Sequence, residues 1–317
     1  MDAFTHYGND ESVPANSARD PLVRTVAAGV GILVPPESLS RSGLATEKCC
    51  GLFGFCEETL EKHHERECTV ANKDEVVSCT ATLVGRKHVL TARHCAPPDL
   101  SRRVVVFGFA DGESIGSSSE FVKESRFQSP ESCISGSLCD WVLLETQSCF
   151  PEGQVVKWRD VPTREEGSEQ LAVLSYPLGM PLTLSPGQFW PKPAAGAKSF
   201  VHNNDLLDGS SGAPALFPSE SRDEYQLIGM LTKGDSLTGR PWPPACREGD
   251  NCRKLKLFYN SPLSQHNVSV VPGCRYAEPE SACQGDGDLR PQILERIGAG
   301  NECCRDQNCQ AVKEAAG

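Results

Sequence analysis

The sequence predicts an all-β protein, and three observations carry that reading. Short apolar runs rich in β-branched residues recur at 26–34, 78–84, 88–92, 104–109, 141–145, 170–175, 213–217 and 226–232, each bounded by turn residues. No long segment ahead of the C-terminus repeats apolar residues at the i, i+3, i+4, i+7 spacing of an amphipathic helix. Glycine at 28 and proline at 23 copies supply the many turns that short strands need.

Taken in chain order, residues 1–21 are polar and rich in Asn, Asp, Ser and Pro, and read as a flexible lead-in. The stretch 25–34 ends at Pro35-Pro36 and reads as the first strand. A displaced secretory core is the competing reading, but the small-x-small cleavage site is missing. Residues 45–70 form a cysteine-rich insert with Cys49, Cys50, Cys56 and Cys68. The strand runs then follow to about 290, with Cys246, Cys252, Cys274 and Cys283 in a second cysteine-dense region. Residues 291–317 form a tail in which Pro291 to Ile297 reads as a helix start, with Pro at an early position, followed by Cys303, Cys304 and Cys309. There is no internal repeat.

Composition narrows the function. The 317 residues carry 31 Lys and Arg against 42 Asp and Glu, a net charge of −11. That balance opposes nucleic-acid binding, which needs basic surface to meet phosphates. No apolar run reaches the ~18 residues of a membrane span. The 16 cysteines favour an oxidising compartment, hence a secreted or periplasmic location. Met1-Asp2-Ala3-Phe4 shows no signal pattern, so either a signal was removed ahead of it or the protein is cytosolic with unusual cysteine use. His63 and His64 lie among the first cysteines, so Cys56, His63, Cys68 and a neighbour offer a zinc set. Disulfides with exposed histidines are the preferred reading, and no metal is expected.

Three segments carry chemistry. In the first, strand-like 78–84 and 89–92 lead into Arg93-His94-Cys95. A histidine beside a cysteine is structural by default. Cys79 and Cys95, however, are spaced to clip the base of the loop ending in His94, which would hold the imidazole rigid for general-base work. In the second, Asp140 opens the apolar run 141–145. It either caps a strand or accepts the Nδ1 proton of His94 and holds its tautomer. In the third, Asp208-Gly209-Ser210-Ser211-Gly212-Ala213-Pro214 brackets a serine with glycines. Glycines there permit a tight turn and close substrate approach, and the turn's N–H groups can converge on an oxyanion. A flexible linker would look similar, but a strand follows at once.

In the order His, Asp, Ser, these segments resemble the chymotrypsin-like serine peptidases. Thr91-Ala92-Arg93-His94-Cys95 is similar to that family's histidine block, Asp140 to its aspartate block, and Gly209 to Pro214 to its nucleophile block. Tyr176-Pro177-Leu178-Gly179-Met180-Pro181-Leu182 is similar to a segment of bacterial trypsin-like proteins, and the nucleophile block is closer to the bacterial glutamyl-endopeptidase-like branch. The resemblance implies two antiparallel six-stranded β-barrels over 22–290, the first about 22–148 and the second about 165–290, with the site in the cleft between them.

It implies His94 as general base, Asp140 as its orienting group and Ser211 as nucleophile, with Gly209 and Ser211 N–H groups as the oxyanion hole. The substrate is then a protein or peptide, and no cofactor is needed. Cys79 and Cys95 are expected to be bonded to each other, worth roughly 3 kcal/mol in the chain-entropy model. Asp205, six before the nucleophile, falls at the base of the substrate pocket, with Thr232, Lys233 and Gly234 on its wall. That places cleavage after Arg or Lys, although Lys233 stands where an aromatic is usual. Animal-type members carry an aspartate just before the nucleophile to receive a freed N-terminal amine. Ser210 stands there, so activity is expected not to depend on such an amine. A non-catalytic binding module on the same scaffold is the alternative reading, and an esterase using the same triad is a third. Oligomeric state is left open.

Overall fold

A computed structural model describes residues 12–40, 43–44, 46–48, 67–69, 78–96, 103–110, 118–128, 140–159, 169–191, 199–202, 204, 206, 209–233 and 267–270. The strands are β1 (Val13–Pro14), β2 (Val30–Val34), β3 (Leu39–Ser40), β4 (Gly43–Leu44), β5 (Thr46–Lys48), β6 (Glu67–Thr69), β7 (Cys79–Gly85), β8 (His88–Thr91) and β9 (Val104–Phe107). They continue with β10 (Ser118–Gln128), β11 (Val142–Thr146), β12 (Glu169–Ser175), β13 (Thr183–Pro191), β14 (Ser199–His202), β15 (Pro214–Pro218), β16 (Tyr225–Lys233) and β17 (Asn267–Val270). One α-helix is described, α1 (Pro21–Ala27).

Two antiparallel barrels result. The first closes in the order β10-β11-β8-β7-β2-β9, with β9 and β10 completing the ring. The second runs β13-β12-β15-β16-β17-β14 and closes because β14 also pairs with β13. Each is six-stranded, as expected. Two small hairpins, β3–β4 and β5–β6, lie outside the barrels, and the second forms the base of the cysteine-rich insert.

The near-continuous apolar runs follow from burial on both faces. Along β12, Leu171 and Val173 point into the core of the second barrel, while Ala172 and Leu174 join the larger core of the first barrel and the interface. On β16, Ile228 and Leu231 face the barrel core, while Leu227 and Met230 face the interface. A two-residue side-chain period with water on neither side leaves no place for alternating polar residues.

Seven of the eight expected strands fall within one or two residues of where the runs placed them. The exception is 26–34. Its first part is helical, because the Asp20 side chain accepts from the Leu22 N–H at 2.9 Å as an N-cap and Pro21 starts the helix. The strand begins only at Val30. Within the expected lead-in, Val13–Pro14 pairs with Leu184 and Thr183 on β13. Four barrel strands escaped the reading. β10 is largely polar, β13 carries Pro186 and Gly187 in its middle, and β14 and β17 are only four residues long. The 291–297 helix, the His63 and His64 zinc alternative and the cysteine patches of the tail lie outside the described residues.

Tyr176 ties the barrels together. It is fully buried after β12, donates its hydroxyl to the Val30 carbonyl of β2 at 3.0 Å, and stacks on Phe109. Burial pushes its phenol far above the ordinary tyrosine range. Tyr225 is pushed up to about 12, by burial first and then by its bond to the Asp20 carboxylate. A raised folded-state pKa gives stability that is complete below the unfolded value of ~10 and is lost as pH rises above it. Tyr176→Phe is therefore expected to cost about 1–2 kcal/mol at neutral pH and to flatten the fall in stability above pH ~10. Urea midpoints of both chains from pH 7 to 11 check this, and an unchanged alkaline slope would count against it.

Candidate active site

The register of the first barrel brings two of the three segments together. β8 and β11 run antiparallel with Thr91 opposite Val142, so the chain leaving β8 meets the chain approaching β11. His94 lies three residues past Thr91 in a short 3-10 turn, and Asp140 two residues before Val142. Asp140 is fully buried and accepts twice from His94, from its backbone N–H at 2.9 Å and from Nδ1 at 2.5 Å. Two bonds to one residue fix both the position of the histidine and the plane of its ring. They also satisfy a carboxylate that would otherwise be costly to bury. The His94 side chain is 23% exposed, although the residue as a whole is open to solvent through its main chain. The imidazole thus has a buried, held edge and an accessible one.

Cys79 and Cys95 form a disulfide with Cα atoms 6.0 Å apart, joining the start of β7 to the residue after His94. Cys149 is also disulfide-bonded.

The Gly209–Gly212 turn reaches this place from the second barrel. Gly209 and Gly212 sit at φ of +92° and +83°, which L side chains adopt only under strain. At the end of the turn, Ala213 N–H donates to the Ser210 carbonyl at 2.9 Å and Gly212 N–H to the Leu231 carbonyl at 2.8 Å. The turn then docks on the first barrel. Thr80 N–H donates to the Ser211 carbonyl at 2.8 Å, and the Thr80 hydroxyl to the Gly209 carbonyl at 2.9 Å. Cys95 Sγ is 3.9 Å from the Ser211 carbonyl oxygen. Thus the disulfide beside His94 is also the surface against which the Ser211 main chain rests. A Cβ on Gly212 would fall 2.1 Å from the Thr80 carbonyl oxygen and 2.3 Å from Thr91 Oγ1, so only glycine allows this approach.

A histidine held by a buried carboxylate and a glycine-bracketed serine turn docked on the same strand region form a candidate site for nucleophilic chemistry. The family model Trypsin matches residues 58–189 of the chain. Among solved structures, it is similar to an inactive form of Rv3671c from M. tuberculosis H37Rv. That protein is 12% identical, with a TM-score of 0.45 over 94% of this chain and 98% of that one. A Glu endopeptidase solved with MPD is 16% identical, with a TM-score of 0.46 over 73% and 88%. No curated protein matches the chain.

Of the pocket residues, Thr232 is buried near the end of β16, and the backbone of Lys233 pairs with Val268. Asp205 and Gly234 lie outside the described residues. An open polar cleft of about 540 Å³ lies elsewhere, lined by Lys157, Arg159, Glu220, Asp223 and Glu224 among others, and His94, Asp140 and Ser211 are not in its lining. Sequence reasoning missed Thr80, Thr91 and Ser175, whose hydroxyls bond within and around the turn. Nothing local marked them, because a strand hydroxyl carries no sign of a partner that only tertiary packing supplies.

Proposed function

We propose that the protein is a serine endopeptidase using His94, Asp140 and Ser211. The pair of hydrogen bonds from His94 to buried Asp140 is the observation that carries the reading. Because Asp140 accepts from Nδ1, the other ring nitrogen, Nε2, is left as the basic one. It takes the Ser211 hydroxyl proton as Oγ bonds to the substrate carbonyl carbon. The negative charge on the carbonyl oxygen is met by the Gly209 and Ser211 N–H groups. The imidazolium passes that proton to the leaving amine as the C–N bond breaks. Water then repeats the sequence on the acyl-enzyme and releases the acid.

The substrate is a protein or peptide. Asp205 favours cleavage after Arg or Lys, since a desolvated carboxylate needs a cationic partner. The paired Cys79, Cys95 and Cys149 support a secreted or periplasmic location.

The test is covalent labelling by a fluorophosphonate, with the adduct mapped to Ser211. A chain that is folded yet unlabelled would overturn the peptidase reading. Matched peptides with Arg, Glu or Leu before the cut then test the pocket. A kcat/KM highest for Arg, lost in Asp205→Ser, is expected. Preference for Glu or Leu rejects it.

A further inference from the structure

Among the described residues, the turn is held by hydroxyls and main-chain groups. Thr80, fully buried on β7, makes four bonds in four directions. Its N–H donates to the Ser211 carbonyl at 2.8 Å, and its Oγ1 donates to the Gly209 carbonyl at 2.9 Å. The same Oγ1 accepts the Tyr176 N–H at 3.1 Å, and the Thr80 carbonyl accepts the Thr91 hydroxyl at 2.7 Å. One proton and one lone pair of this hydroxyl thus connect the turn to the end of β12. On the turn itself, Ser210 Oγ donates to Ser175 Oγ at 3.0 Å, and both residues are 1% exposed.

Peptide planes translate these bonds into a direction for the Ser211 N–H. That group lies in the plane joining residues 210 and 211, opposite the Ser210 carbonyl, which is bonded to the Ala213 N–H. The planes on either side, 209–210 and 211–212, are each anchored to Thr80 through their carbonyls. The Cα that joins the first two planes carries the Ser210 side chain, pinned by Ser175. A plane fixed at its own carbonyl and at both neighbours has little freedom to rotate.

We infer that Thr80, Ser175 and Ser210 are positioning residues for the oxyanion hole. They preset the turn through their hydroxyl and main-chain bonds. The inference rests on the peptidase reading and adds to it the residues that prepare its anion site.

Thr80→Val keeps volume and removes the hydroxyl, Thr80→Ser restores it, and Ser175→Ala removes a single small group. Thr80→Val and Ser175→Ala are expected to lower kcat by about 10- to 100-fold with KM within about twofold. Affinity for a peptide aldehyde, which forms a tetrahedral adduct on Ser211, should fall in proportion to kcat. Thr80→Ser should recover most of both. Ser175→Ala/Ser210→Ala should be no worse than the poorer single variant, since the two hydroxyls act as one pair. A loss appearing only in KM, unchanged aldehyde affinity, or a Thr80→Ser as impaired as Thr80→Val overturns the inference. If the wild-type chain hydrolyses nothing, the peptidase reading fails separately. Amide exchange then decides the clamp: faster exchange at Ser211 in Thr80→Val supports it, and unchanged exchange overturns it.

Discussion

Ser211→Ala is expected to abolish peptide hydrolysis and fluorophosphonate labelling while leaving the fold intact. The change removes one oxygen from a residue whose main chain, through bonds to Thr80 and the disulfide beside it, does the structural work. Turnover should fall by on the order of 10⁴–10⁶-fold, with the thermal midpoint within a degree or two of wild type. Asp140→Asn should cost about 10⁴-fold by a different route. Asp140 Oδ2 accepts from His94 Nδ1, and an amide presenting N–H there would force the ring into the tautomer that cannot take the serine proton. Both variants are checked by single-turnover kinetics on one ester and one amide substrate. Residual hydrolysis of the amide near wild type in either variant would remove the triad from the account.

Gly212→Ala is expected to be the most damaging substitution that touches no reacting atom. The residue sits at φ +83°, and a Cβ there would lie 2.1 Å from the Thr80 carbonyl oxygen and 3.0 Å from the Ala92 N. Both obstacles are backbone of the first barrel, so neither can swing aside as a side-chain tip would. Positive-φ strain and the overlap together should destabilise by on the order of 2–5 kcal/mol. The relief available is to lift the turn away from the barrel, which moves Ser211 relative to His94. A displacement near 1 Å is enough to cost about 100-fold in kcat/KM. Gly153→Ala is the control, since nothing lies within 4 Å of a Cβ at that position. It should change stability by less than about 0.5 kcal/mol. Thermal unfolding and kcat/KM of the two variants side by side settle the contrast. A Gly212→Ala chain as active as Gly153→Ala would show that the turn need not be held so close.

The all-β class was legible in the sequence because most of the strands are buried on two faces and therefore write apolar runs, while the double barrel was expected only from the resemblance. Where a strand lacked that burial or carried turn residues, the record failed. β10 reads Ser-Ser-Glu-Phe-Val-Lys-Glu-Ser-Arg-Phe-Gln, and β13 holds Pro186 and Gly187 yet pairs from Thr183 to Phe189 with β12. At 26–29 the apolar run misled, since β-branched residues in α1 were overridden by a local cap at Asp20. The order His94, Asp140, Ser211 was legible because each residue sits in a short block of distinctive neighbours. The Cys79–Cys95 pairing could be expected from the same blocks.

Sequence by itself thus determined the fold class, the three segments proposed to bear the chemistry and the disulfide that braces one of them. Only the tertiary structure decided what holds those segments to one another. Thr80 meets Gly209 across 129 residues and Tyr176 across 96, while Tyr176 reaches Val30 across 146. A threonine or serine in a strand carries no local mark of such a partner. Its hydroxyl is equally at home in water, and it is the packing of one barrel on the other that removes the water and leaves a distant carbonyl as the partner.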